Sequence, residues 1–143
     1  MKPSNVTRAN YLIILSALFT ILLSCSGQPE RHVLTIGPIE HFGIYTSTDK
    51  ITQLSVFEEN SIVKYKMIYN KKIVIESNDN IGSFQRWFFF WDSKENLWIY
   101  SADIGTSVWA KDQQGNYTQY GIKDRPIYCN PVPPIIYNKW HKL

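Results

Sequence analysis

The stretch that decides the fold of this chain is Arg86-Trp87-Phe88-Phe89-Phe90-Trp91. Five aromatic side chains follow one another, so an extended chain here is apolar on both of its faces. A strand of this kind is typical of the interior of a sheet, where it is covered from both sides. We therefore predict a central strand at this position, with Trp87, Phe89 and Trp91 on one face as one layer of the core.

The segments on either side of this stretch also have strand patterns. In one of them Val63, Tyr65 and Met67 alternate with Lys64 and Lys66, which is the period of a half-buried strand. Turn-forming residues separate this segment from its neighbours. Further strands are expected at 51–57, 72–76, 97–101, 108–111 and 117–121.

Together these patterns predict an all-β fold, a small antiparallel meander, sandwich or barrel-like domain behind an N-terminal signal helix. Residues 33–143 would form this single domain, and no helical periodicity is visible within it. Proline cannot donate to a strand ladder, so the proline-rich segment 126–143 is expected to be an extended strap across the domain. Its prolines are Pro126, Pro131, Pro133 and Pro134.

The N-terminus has the anatomy of an export signal. Lys2 and Arg8 are the only charged residues before Cys25, and residues 11–23 are almost wholly apolar. Thirteen helical residues span roughly 20 Å, which is shorter than the ~30 Å hydrocarbon core of a bilayer. A signal peptide is therefore favoured over a transmembrane anchor.

The run Leu22-Leu23-Ser24-Cys25 resembles the lipobox of bacterial lipoproteins. The resemblance implies that residues 1–24 are removed, that Cys25 carries the lipid, and that residues 25–32 tether the domain to a membrane. Ser26 follows the cysteine, which in such lipoproteins is compatible with transport to the outer membrane, so the domain would lie in the periplasm or at the cell surface. The alternative is cleavage after Ser26, which would give a freely soluble product.

Charge argues against a nucleic-acid partner. The signal takes two of the 15 basic residues and none of the 12 acidic ones, which leaves a net charge of +1 for the remaining 119 residues. Nucleic-acid binders carry a strongly basic patch instead. Cys129 is the only cysteine after Cys25, so no internal disulfide forms; a buried, inert thiol is the favoured interpretation and a reactive one the alternative.

Residues 92–120 are similar to one repeat of bacterial sensor-type β-propellers. The shared features are an acidic turn, Leu97-Trp98, the turn at Gly105, Trp109 and Gly115-Asn116-Tyr117. Glu95 stands where such repeats usually have glycine. The similarity covers one repeat, and a propeller closes only with several blades, so it implies antiparallel meander geometry rather than a propeller.

Residue types typical of catalytic or metal centres do not cluster in the sequence. His32, His41 and His141 lack metal-ligand spacing, and no metal or other cofactor is expected. The segment 78–80 is oxygen-rich, but an Asx-rich turn is favoured over a calcium loop. Acidic pairs such as Glu58 with Glu59, or Asp92 with Asp103, are not placed in a cleft by any pattern.

Aromatic side chains are the remaining candidates for a functional surface. Trp98, Tyr100 and Trp109 are candidates for a ligand-facing shelf, and burial in the core is the competing interpretation. The leading hypothesis is a non-enzymatic cell-envelope lipoprotein that binds a protein partner in the periplasm or at the membrane surface. A carbohydrate- or peptidoglycan-binding accessory protein is the alternative, and a small periplasmic hydrolase is the third.

Overall fold

The computed structural model describes residues 27–140, apart from the side chain of Trp140. The predicted signal peptide, Cys25 and His141 lie outside these residues. The described chain is built mainly from short strands, followed by a 3₁₀ turn and a short helix. They are β1 Arg31–Val33, β2 Gly37–Ile39, β3 Gly43–Thr46, β4 Thr52–Glu59, β5 Ile62–Tyr69, β6 Lys72–Glu76, β7 Ile81–Gly82, β8 Trp87–Trp91, β9 Leu97–Ser101, β10 Gly105–Lys111, β11 Tyr117–Gly121, the 3₁₀ turn Ile127–Cys129 and α1 Pro134–Trp140.

The strands form two sheets, which confirms the all-β fold class. The first has the order β1-β3-β4-β5-β6, with β7 also paired to β5, and the second has the order β11-β10-β9-β8-β2. Neighbouring strands are antiparallel except for β1 and β3, which are parallel. Two-residue turns with positive φ at both positions, Asn60-Ser61 and Asn70-Lys71, join β4 to β5 and β5 to β6.

One hydrophobic core lies between the two sheets. Val63, Tyr65 and Met67 of β5 are buried in it, as their alternation predicts, while the intervening lysines are only partly covered. From the second sheet Phe89 and Trp91 enter the same core and Trp87 packs against it. The predicted core layer on this face of β8 is thereby confirmed, with Trp87 the least buried of the three.

A second core covers the opposite face of the second sheet. Phe88, Trp98 and Tyr100 pack there against residues of the C-terminal segment, including Ile122 and Ile136. Each face of β8 and β9 is therefore in contact with apolar neighbours. This explains why neither strand alternates between apolar and polar residues.

The C-terminal segment packs across the second sheet, as expected of a strap. It is not extended throughout, so that part of the expectation is wrong. It contains the 3₁₀ turn and the seven-residue helix α1. Proline is well tolerated at the first helical position, because the N–H that it lacks would have no partner there. Pro134 therefore begins a helix that is too short to give a clear periodic pattern.

Cys129 ends the 3₁₀ turn and is buried in the second core. Burial raises the pKa of the Cys129 thiol, so it stays protonated at neutral pH. A protonated and enclosed thiol is a weak nucleophile. The structure thus supports an inert cysteine over a reactive one.

The sandwich has two distinct ends. At the first, which we call the tether end, the backbone N–H of Ile44 donates to the carbonyl of Glu30 over 2.8 Å, and Gly82 lies against Asp103. At the other, which we call the turn end, lie four hairpin turns, at 47–51, 70–71, 92–96 and 112–116. β1 runs from the tether end towards the turn end, because it is parallel to β3.

Asp103 joins the two sheets at the tether end. Its carboxylate accepts a hydrogen bond from the Gly82 N–H over 2.9 Å and another from the Ser101 hydroxyl. The Ser101 hydroxyl and the Gly82 amide hold the pKa of Asp103 below its usual value. The folded protein therefore favours the ionised form of the Asp103 carboxyl group.

We expect the stability that Asp103 contributes to depend on pH. A carboxyl whose folded-state pKa is depressed stabilises the fold above its unfolded pKa of about 3.9, and that contribution is lost as the pH falls through the folded-state value. Urea unfolding at several pH values should show Asp103→Asn less stable than wild type at neutral pH, with the difference shrinking below about pH 4. A difference that stays constant with pH would contradict this assignment.

Candidate functional site

The aromatic shelf predicted from Trp98, Tyr100 and Trp109 is not formed. Trp98 is 0% exposed and Tyr100 is also buried, stacked on Phe88 at a centroid distance of 5.0 Å. The prediction is wrong for both residues because β9 is the middle strand of its sheet and the C-terminal segment covers this face. The polar turns at the ends of β9 therefore do not make the hairpin of residues 92–121 peripheral.

Trp109 points to the opposite face of the sheet. It pairs with Leu97 across β10 and β9, whereas Trp98 pairs with Val108. It is half-buried against the inter-sheet core, and its Nε1–H donates to the Tyr65 hydroxyl over 3.0 Å. The three predicted residues therefore do not converge on one surface.

Tyr65 and Trp109 belong to a polar network between the sheets. The Tyr65 hydroxyl donates to Asp79, and Gln119 Nε2 donates to both Asp79 oxygens over 3.2 and 3.1 Å and to Ser107 Oγ over 3.2 Å. Burial, followed by the hydrogen bond to Asp79, raises the pKa of Tyr65, which keeps the phenol protonated as a donor. These bonds fasten the 77–80 loop to the second sheet, in keeping with a structural Asx-rich loop.

A more open polar arrangement lies at the turn end. Asp92 Oδ1 accepts from the backbone N–H groups of Lys94 and Asn96 over 2.8 and 2.9 Å, and Oδ2 accepts from Asn96 Nδ2 and Trp98 Nε1 over 2.9 Å each. The turn closes with Glu95 at a φ of 61°. One carboxylate thereby fixes the whole turn and anchors it to the buried Trp98.

The next hairpin repeats this turn with the same spacing. Asp112 Oδ1 accepts from the N–H groups of Gln114 and Asn116, and Asn116 Nδ2 donates to Asp112 Oδ2. The backbone hydrogen bond from Asn116 contributes most to holding the pKa of Asp112 below its usual value. The buried Asn96 joins the two turns, because its Oδ1 accepts from the Lys111 N–H over 3.0 Å.

A cleft of about 450 Å³ lies between these two turns and the 3₁₀ turn. Both of its lysines already have partners. Lys94 Nζ donates to the carbonyls of Tyr128 and Asn130 over 2.7 and 2.9 Å, and Lys111 Nζ contacts Glu95 and lies 4.8 Å from the centre of the Tyr69 ring. The residues that line the cleft are Lys94, Asn96, Lys111, Asp112, Gln113, Gln114 and Tyr128.

The 3₁₀ turn beside this cleft presents apolar side chains to solvent. Ile127 is 87% exposed and Tyr128 is 45% exposed. Sequence patterns do not point to this pair, because both residues lie in the proline-rich segment, which is expected to cover the domain. The available signal was an apolar pair, Ile127 and Tyr128, between Pro126 and Pro131.

The acidic pairs considered from sequence are dispersed or engaged. Asp92 and Asp103 flank the five-residue strand β9, so they lie at opposite ends of the sandwich. Glu58 accepts a hydrogen bond from Ser83 over 2.5 Å. Among residues 27–140 no group of three or more His, Cys, Asp or Glu residues could hold a metal ion.

The same described range contains no helix long and apolar enough to cross a membrane. Comparison of the chain with protein-family models, curated proteins and solved structures gives no match.

Proposed function

We propose that this chain is a cell-envelope lipoprotein whose β domain binds a protein partner without catalysis. Cys25 would carry the lipid anchor and place the domain in the periplasm or at the membrane surface, on the outer membrane rather than the inner. The lipobox-like run ending at Cys25 supports the anchor. The surface of the turn end supports the binding role.

The observation that carries the binding proposal is the exposed pair Ile127 and Tyr128 beside the polar cleft. Apolar and aromatic side chains next to a hydrogen-bonding rim are typical of protein interfaces, in which tyrosine is enriched among the residues that contribute most to binding. A sugar-binding surface built on Trp98 is overturned by the burial of that residue. The cleft with Ile127 therefore favours a protein ligand over a glycan.

The lipid anchor has a direct test. Cells that express the full chain and are fed a palmitate analogue should label the wild type, and labelling should disappear in Cys25→Ala, because Cys25 supplies the acceptor thiol. The second cysteine provides the control: Cys129→Ser should stay labelled. Equal labelling of wild type and Cys25→Ala would rule out the anchor.

The binding surface can be tested with the full chain in detergent-solubilised envelope from its own cells. Ile127→Asp and Tyr128→Ala should each weaken capture of a specific partner by about 1–3 kcal/mol, or roughly fivefold to 150-fold. The expected loss comes from removing apolar contact area on the 3₁₀ turn. Neither exposed substitution should shift the melting temperature by much.

A matched control for this experiment is Ile73→Asp. Ile73 is exposed on β6, in the first sheet, so the same change of chemistry is made away from the cleft. Capture should be unaffected. If Ile73→Asp reduces capture as strongly as Ile127→Asp, the Ile127–Tyr128 pair is not the specific binding surface.

A further inference from the structure

The tether end of the sandwich carries exposed apolar side chains on adjacent turns. Phe84 is 79% exposed in the turn closed by the hydrogen bond from the Gln85 N–H to the Gly82 carbonyl over 3.1 Å. Ile104 is exposed in the turn between β9 and β10. The bond between Gly82 and Asp103 holds these two turns together.

Phe42 extends this surface along the same end. It is exposed, and its ring lies 5.1 Å from that of Trp87, at a tilt of 39°. The exposed Arg86 directly precedes Trp87 in the sequence, and its carbonyl accepts from the Ala102 N–H over 2.9 Å. We refer to Phe42, Phe84 and Ile104 as the apolar rim.

The N-terminal tether leaves the domain at this same end. Glu30 is hydrogen-bonded to Ile44 at the start of β3, and β1 runs away from that point. Five Cα-to-Cα steps lead from Cys25 to Glu30, and they span at most about 18 Å when fully extended. A lipid on Cys25 would therefore hold Glu30, at the tether end, within about 18 Å of the bilayer interface, which favours an orientation in which the rim faces the membrane.

The charges around the rim indicate the kind of contact it makes. Arg31 and Arg86 are exposed there, but so are the acidic residues Glu30, Glu40, Glu58, Glu59 and Asp103. This mixture gives no strong attraction to anionic headgroups. Exposed phenylalanine and isoleucine on hydrogen-bonded turns instead favour shallow insertion at the boundary between headgroups and acyl chains.

We propose that the apolar rim inserts into the surface of the bilayer to which Cys25 is anchored. The inference rests on the proposed lipid anchor. Insertion gives the domain a second attachment point besides the lipid. It thereby orients the sandwich, with the cleft and the Ile127–Tyr128 pair facing away from the membrane.

The test uses the full lipidated chain in vesicles of equimolar phosphatidylcholine and phosphatidylglycerol, and in vesicles of phosphatidylcholine alone. Cys25 is blocked by lipid and Cys129 is buried, so a cysteine introduced at position 84 or 104 can be labelled selectively with an environment-sensitive nitrobenzoxadiazole dye. The matched control is Ile127→Cys, at a position that is at least as exposed as Phe84 and Ile104 but lies at the turn end. All variants should keep the wild-type melting temperature.

We expect spin-labelled acyl chains to quench the dye at Phe84→Cys and Ile104→Cys at least about twofold more than at Ile127→Cys, because insertion reaches about 5–10 Å into the interface. The difference should be the same in both vesicle types. Equal quenching at positions 84 and 127 would refute insertion of the rim. A difference in quenching that is seen only with phosphatidylglycerol would show an electrostatic contact and refute apolar insertion.

Flotation of the vesicles separates failure of the anchor from failure of the rim. If the chain does not float with the vesicles, the lipid anchor is refuted. The apolar-rim proposal is then refuted as well, because it rests on the anchor. Chain that floats without preferential quenching at position 84 leaves the anchor in place and refutes only the rim.

Discussion

Replacement of Phe89 by alanine is expected to lower the free energy of unfolding by about 3–5 kcal/mol. Phe89 is fully buried between the sheets, in edge contact with Tyr65 at a centroid distance of 5.0 Å and tilted against Trp87 at 5.8 Å. Its neighbours on adjacent strands are Ile39 and Ile99. The cavity would therefore open at the contact between the sheets, and a loss of this size is a large share of the ~5–15 kcal/mol typical of a domain.

Urea unfolding followed by tryptophan fluorescence measures this loss. Phe84→Ala is the matched control, because it removes the same side chain from an exposed turn and should change stability by no more than about 0.5 kcal/mol. Phe89→Leu should fall between the two, since it retains part of the apolar volume. If Phe89→Ala unfolds at the same urea concentration as Phe84→Ala, the packing of β8 against the first sheet is misassigned.

Trp98→Ala is expected to cost about as much, again about 3–5 kcal/mol, but through the second core. The indole fills the space between β9 and the C-terminal segment, and its Nε1–H donates to Asp92 over 2.9 Å. Alanine would leave a cavity and would also remove one of the hydrogen bonds that fix the 92–96 turn. Because the 92–96 turn lines the cleft, its loss would also disturb the cleft.

Trp98→Phe separates these two effects. It retains most of the apolar volume while losing the N–H donor, so it should cost about 1–3 kcal/mol. The comparison also decides between a core and a binding role for this residue. If Trp98 is a core residue, its substitution lowers the stability of the protein first. If it faces a ligand, substitution weakens binding while the melting temperature stays unchanged, and that result would refute the burial of Trp98.

Glu95 shows how a local resemblance can be informative at a single position. Sensor-type propeller repeats usually have glycine there, and the φ of 61° at Glu95 supplies the physical reason, since this region favours glycine. The equivalent position in the next turn is Gly115, with a φ of 87°. Turn chemistry was therefore predictable from sequence, including the place where the chain departs from the preferred residue.

The location of the functional surface was not predictable in the same way. Aromatic residues suit both a core and a binding surface, and sequence gives no count of the layers packed above a strand. Leu97 to Ser101 is apolar on both faces, which signals burial, but its polar flanking turns suggested an outer hairpin. Sheet order decides the question, because β9 lies between β8 and β10.

The sequence by itself determined the longer strands from β4 onwards, the alternation of β5 and the two apolar faces of β8, because each follows from local periodicity and side-chain size; the short strands β1, β2, β3 and β7 were not predicted. Only the tertiary structure decided that the C-terminal segment buries Trp98, that Trp109 faces the other way, and that Ile127 and Tyr128 remain exposed. These outcomes depend on which elements meet across the sandwich. Such contacts join residues far apart in the chain, so no local pattern encodes them.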